Sequence, residues 1–205
     1  MRPLSVPHEE VMVISVLTVG HSNHLSADFL RILKSNDVTA VADVRSLPKS
    51  RAAPWSSEEQ LKPWLKDHGI AYSFLGRELG GRPSNKSLFN NHVANYSAME
   101  KTEPFKAGIQ RVLEGSKTFR IALMCAERDP LECHRCLLVG RHLHNRSIPV
   151  EHILFDGNVE THEESELRLL SVRGQEVRQR DLLADEKEIL SMAYQSQIIE
   201  FAYSE

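Results

Sequence analysis

Nothing in this chain is long and apolar enough to span a bilayer. The segment ahead of Val11, Met1-Arg2-Pro3-Leu4-Ser5-Val6-Pro7-His8-Glu9-Glu10, lacks the apolar centre of a signal peptide. An excess of one charge sign is missing too: 25 Lys and Arg stand against 28 Asp and Glu, a formal charge of −3, so no global basic footprint points to nucleic acid. Cysteine is scarce, and the three that occur lie together at 125, 133 and 136. An odd, clustered set does not make a secreted disulfide framework, so a reducing cytoplasm is the expected compartment. Aromatics make up only 6% of residues, and neither an internal repeat nor a low-complexity tract is apparent. What is present is a 41% hydrophobic content over 205 residues, enough for one real core.

Apolar runs alternate with helical patterns along the chain, which predicts an α/β fold with a doubly wound, mainly parallel sheet of about five strands. The expected strands are Val11 to Val19, Val38 to Val44, Ile70 to Leu75, a run from Ile121, and Val150 to Phe155. Ser26 is the expected N-cap of the first helix, with Leu25 and Leu30 placed for a hydrophobic staple. Ser57 and Gln60 match a capping box for a second helix to His68, which Pro63 should kink or shorten. Thr102 caps the next helix, carrying Phe105, Ile109, Val112 and Leu113 on its buried stripe. From Glu163 the pattern is helical and charged. It divides the chain into an α/β core over 11–160 and a helical appendage over 161–205, packed on the core or on a second subunit, which makes a homodimer one expectation.

The most informative stretch is Met124-Cys125-Ala126-Glu127-Arg128-Asp129-Pro130-Leu131-Glu132-Cys133-His134-Arg135. It leaves a buried strand and enters a helix start, with Asp129 as N-cap, Pro130 at the first helical position and Glu132 placed to close a capping box. A helix N-terminus attracts anions and favours thiolate over thiol, so Cys125 and Cys133 are candidates for reactivity, whereas Cys136 reads as core. Doubly wound sheets bind ligands outside the carboxyl ends of their strands, and the unusual residues fall there. They are His21 and Ser22, Asp43 and Arg45, Arg77 and Glu78, then Cys125 and Glu127. Segments about a hundred residues apart are thus expected to meet at one crevice.

Gly20-His21-Ser22, Asp43-Val44-Arg45-Ser46 with Pro48 and Arg51, Leu79-Gly80-Gly81, Met124-Cys125-Ala126-Glu127 with Pro130, and Cys133-His134-Arg135 together resemble the family filed as domain of unknown function 488. The resemblance covers about residue 16 to 160, and His152-Ile153-Leu154 and Glu166 to Leu170 look family-like as well. It implies a shared site but no established reaction.

The residues themselves suggest an enzyme, a transferase or hydrolase, acting on a small anionic or nucleotide-like substrate, with nucleic acid as one source of it. Cys125 would be nucleophile or redox thiol, Glu127 a general acid/base or second nucleophile, and His21 or His134 the proton handler. Arg45, Lys49, Arg51 and Arg82 would hold phosphate, with Ser22, Asp43, Cys133 and Arg135 as further substrate contacts and Trp55 as a stacking platform for a base. A glycosidase-like variant pairs Glu127 with Asp43. A sulfur-transfer variant is disfavoured by the lack of a compact glycine-containing cradle after Cys125. No cofactor is expected on the main reading. The alternative is a zinc or iron site built from Cys125, Cys133, His134 and His21, although Cys133 and His134 would point about 100° apart on a helix. A third reading is a non-enzymatic nucleotide- or partner-binding module with structural thiols.

Overall fold

The chain folds around a six-stranded sheet. The computed structural model describes residues 15–180 and 185–205. In chain order the elements are β1 (Val16–Gly20), α1 (Ser26–Ser35), β2 (Ala40–Asp43), α2 (Glu58–Asp67), β3 (Ala71–Phe74), α3 (Gly76–Leu79), the hairpin β4 (Phe89–Asn90) and β5 (Val93–Ala94), α4 (Tyr96–Met99) and α5 (Glu103–Ser116). There follow β6 (Ile121–Cys125), a 3-10 turn over Pro130–Glu132, a π-helical turn over Arg135–Gly140 running into α6 (Arg141–His144), then β7 (Val150–Ile153), β8 (Val159–Thr161), α7 (His162–Arg180) and α8 (Glu186–Phe201).

The sheet order is β3-β2-β6-β1-β7-β8. The first five strands are parallel, and β8 closes one edge antiparallel to β7. The two central strands, Val-Leu-Thr-Val-Gly and Ile-Ala-Leu-Met-Cys, are buried along their whole length, as continuous apolar runs covered on both faces must be. One face packs α1 and α2 through Phe29, Ile32, Leu33, Leu61 and Leu65. The other carries α5, the 135–144 helix and α8 through Phe105, Ile109, Val112, Leu137, Leu138, Ile189 and Tyr194. The chain leaves β1 toward β2 and leaves β6 toward β7, so the carboxyl ends of β1 and β6 flank a switch point, where open α/β sheets hold their ligands.

Several local expectations are corrected. Val11 to Ile14 lie outside the described residues, and β8 adds a sixth strand to the five expected. Leu25, not Ser26, holds the N-cap position of α1, and at 72% exposure it forms no staple. Ser57 makes no side-chain cap; its hydroxyl instead accepts from the Ser50 N–H. Pro63 is accommodated inside α2, which continues to Asp67. The largest correction follows Asp129. Its carboxylate does cap, accepting from Leu131 N–H at 2.8 Å, but the turn lasts only three residues. Cys133 then adopts extended backbone (φ −139°, ψ 140°) before the next helix begins.

Candidate functional site

That break at Cys133 builds the site. Its carbonyl accepts from the Cys136 and Leu137 N–H groups, and its sulfur accepts from Arg135 N–H at 3.5 Å, so Cys133 serves the following helix as a cap residue does. Being extended, it does not diverge from His134 as two neighbours on a helix would. Cys125 Sγ lies 3.7 Å from His134 Nδ1, Cys133 Sγ lies 3.9 Å from the same atom, and the Cys133 thiol reaches Glu127 Oε2 at 2.8 Å. His134 Nε2 donates to the Val44 carbonyl at 2.9 Å, which turns Nδ1 toward the two sulfurs.

These groups form the floor of a crevice of about 260 Å³ at the carboxyl ends of β1, β2 and β6. Its walls include His21, Arg45, Lys49, Arg82, Tyr96 and Tyr203. Two glycines permit the close approach. A Cβ on Gly20 would sit 1.9 Å from the Glu127 carbonyl oxygen, and one on Gly81 would sit 2.8 Å from the His134 ring. Ser46 accepts from Arg82 N–H at 2.9 Å, tying the loop after β2 to the glycine turn.

The electrostatics of the floor are coupled. Burial, then contact with Cys133 and Glu127, pushes the Cys125 thiol up. Burial also acts to raise Cys133, but its hydrogen bonds with Cys125 and His134 and the charge of Arg135 more than offset this and hold it well below an ordinary thiol. Glu127 is raised by burial and by Cys133, while His134 is raised because the Cys133 hydrogen bond and charge outweigh its desolvation. The arrangement can keep a thiolate beside an imidazolium at the floor of the crevice.

Arg45 and Asp43 are placed differently from a substrate clamp. All the guanidinium N–H groups of Arg45 are engaged, at Asp43 (2.9 and 2.6 Å), His21 (3.2 Å) and Ser56 (3.2 and 2.7 Å), and Asp43, fully buried, also accepts from Tyr72 at 2.9 Å. This is an internal ion pair whose donors have no capacity left for phosphate. His21 gives its Nδ1–H to the Ser22 carbonyl and accepts from Arg45 at Nε2. Burial and the Arg45 charge lower it to about 4, so it is a neutral wall of the crevice rather than a proton handler. Arg135 is wholly buried and donates to the carbonyls of Glu127 and Arg128 at 2.7 and 3.0 Å, shaping the loop from behind instead of facing substrate. Ser22, Arg51, Arg77 and Glu78 do not line the crevice, and Glu78 pairs with Arg111. Trp55 packs against Phe29 and Trp64 and donates to the His24 carbonyl, so it is no platform for a base. Lys49 and Arg82 do line the crevice; Lys49 is exposed without an ion-pair partner among the described residues, and Arg82 lies over the Tyr203 ring at 5.0 Å.

Tyr96, Phe201 and Tyr203 are crevice residues that the sequence reading did not include. The last two come from the end of α8 and the segment after it, which the Val93 to Ser204 bridge fastens beside the hairpin. Two more contacts brace the loop from the C-terminal helices: Arg168 grips Asp129 with bonds of 2.7 and 2.9 Å, and Gln197 donates to the Leu131 carbonyl at 2.9 Å. An aromatic-bearing terminal segment after a helix is a weak pattern, so only the folded chain reveals this wall.

Residues 26–141 match the sequence profile of a family described as Domain of unknown function DUF488. That span holds the Asp43, Gly80 and Cys125 segments, whereas Gly20-His21-Ser22 and His152-Ile153-Leu154 lie outside it. No curated protein and no solved structure matches the chain.

Proposed function

The chain belongs to the DUF488 family, and we propose that it is an enzyme, a hydrolase or transferase, that takes a small anionic, phosphate-bearing substrate into the crevice above Cys125, Glu127, Cys133 and His134. One observation carries this reading: Lys49 and Arg82, which have no carboxylate partner among the described residues, stand on the wall above two thiols, a carboxylate and an imidazole. The contrast with Arg45 is what gives the pair meaning, since a cation whose donors are already taken by Asp43, His21 and Ser56 cannot recruit an anion. Glu127, whose carboxyl is raised above its ordinary value by burial and by Cys133, is the group suited to move a proton to or from the bound molecule. Tyr96, Phe201 and Tyr203 provide aromatic surface beside the cations, which suits a planar, nucleotide-like group attached to the phosphate. The crevice volume fits a small molecule rather than a duplex.

The test is a titration of the folded protein with inorganic phosphate and with a nucleoside monophosphate, followed by isothermal calorimetry. A Lys49→Ala/Arg82→Ala double variant should lose at least tenfold in affinity, since each charge-assisted bond is worth roughly 1.5–3 kcal/mol. Equal affinity in the double variant and the parent would contradict the assignment.

A further inference from the structure

The floor of the crevice is also a set of metal ligands. Cys125, Glu127, Cys133 and His134 each offer one ligand atom, and these atoms all lie within 4.8 Å of one another. A tetrahedral zinc with bonds of about 2.3 Å to sulfur and about 2.0 Å to nitrogen requires sulfur-to-nitrogen separations of roughly 3.5–3.6 Å. The observed 3.7 and 3.9 Å from the two sulfurs to His134 Nδ1 are close to that without any rearrangement of the backbone. We propose that the chain binds one divalent ion of the zinc class through Cys125 Sγ, Cys133 Sγ and His134 Nδ1, with the Glu127 carboxylate at the fourth, crevice-facing corner.

Three further features fit a ligand set. His134 is oriented as metal-bound imidazoles are, with its remote nitrogen giving its proton to a backbone carbonyl, that of Val44, and its other nitrogen facing the sulfurs. Arg135 supplies a buried positive charge, and its guanidinium has no carboxylate partner among the described residues. Two thiolates and a carboxylate around a divalent ion leave one net negative charge, which that guanidinium complements. Two sulfurs and one imidazole are donors that favour zinc over magnesium or calcium. The neighbouring group of Cys136, His152 and His162 is a poor rival, because its ring nitrogens are spent on Thr18, on each other and on Tyr194. His21 is likewise excluded, both its nitrogens being engaged by Ser22 and Arg45.

The spacing of seven residues between the cysteines matches no familiar zinc motif, and only the extended backbone of Cys133 lets adjacent Cys133 and His134 serve one ion. The inference does not depend on anion binding: the protein could hold zinc and ignore phosphate, or the reverse, and the two measurements are separate.

The test uses the unmodified full chain. Protein purified from zinc-supplemented medium and dialysed should retain one zinc ion per chain by elemental mass spectrometry. After removal of zinc, cobalt(II) alone should bind with the intense visible absorption of a tetrahedral site and a sulfur-to-metal charge-transfer band. Iodoacetamide should label Cys125 and Cys133 at least tenfold faster once a chelator is present, as read by peptide mass spectrometry. A Cys133→Ser variant should lose part of the charge-transfer band; if it fails to fold, the parent protein alone decides. A folded parent that retains no stoichiometric zinc and gives no cobalt spectrum would overturn the proposal, and retention of iron in preference to zinc would overturn the choice of metal.

Discussion

Arg45 shows how far a single residue can mislead when read without its neighbours. A charged pair at the carboxyl end of a strand looks equally suited to substrate and to structure, and the sequence carries no signal for Ser56, Tyr72 and His21 closing around it. Replacing Arg45 by Met leaves the Asp43 carboxylate buried without its partner, so urea denaturation should show a loss of about 3–5 kcal/mol. Unchanged stability would mean that the pair is solvated in solution. Gly20 makes the complementary case. Its glycine is readable as part of a turn, but the reason for it is the approach of the Glu127 carbonyl. Gly20→Ala must push that loop away, at roughly 1–3 kcal/mol, with a loss of phosphate affinity that a remote core variant of equal stability would not show. Cys125, Cys133, His134 and Glu127 were legible as chemistry from their crowding in one turn. That they share one point was not, because the local pattern implied a continuous helix through Cys133.

At the scale of elements, the strands were the most legible part of the chain. Central parallel strands read as largely apolar runs; β2, β3 and β7 fall within the runs expected of them, and β1 extends one residue past its expected end at Val19. Helix starts were less so: Thr102 caps α5, whereas Ser26 and Ser57 do not cap with their side chains, since a hydroxyl at the right spacing must also point back at the backbone. The short antiparallel β8 escaped because three residues carry too little periodicity to be seen. The charged pattern after Glu163 gave α7 and α8 but not their use, which is to clamp the 129–133 turn through Arg168 and Gln197. Arg168 is one-third exposed and its bridge partly solvated, so Arg168→Met should cost only ~1 kcal/mol globally. Its local effect should be larger. Hydrogen exchange at the Leu131 and Cys133 amides should accelerate in that variant while α1 and α2 remain protected, and uniform protection would contradict the clamp.

Across the whole molecule, burial of neutral histidines sets how the fold responds to acid. Tyr194 donates to Glu166, so it must accept from His162 Nε2; His162 Nδ1 then accepts from His152, whose other nitrogen accepts from Thr18. The chain runs in one direction and works only with both rings neutral. Burial, with His144 and Arg141 nearby, lowers His162 to about 3, and burial with His162, Arg135, Arg168 and His144 holds His152 well below its ordinary value. Because the unfolded chain takes up these protons first, the stability is present in full above about pH 6.5 and is lost as pH falls toward 3, by up to ~1.4 kcal/mol per pH unit per group. Denaturation midpoints measured from pH 7 to 4 should therefore fall more steeply in the parent than in a His162→Gln variant. The convergence of loops at one edge of the sheet is the claim on which the rest stands, and it was legible in outline because wound sheets place their strand ends together. Amide chemical-shift mapping with inorganic phosphate tests it most directly. The account predicts shifts concentrated at Ser46, Leu47, Lys49, Ser50, Gly81, Arg82, Ala126 and Cys133, which are distant in sequence but share the crevice. Shifts confined to another surface, or none at saturating phosphate, would contradict it.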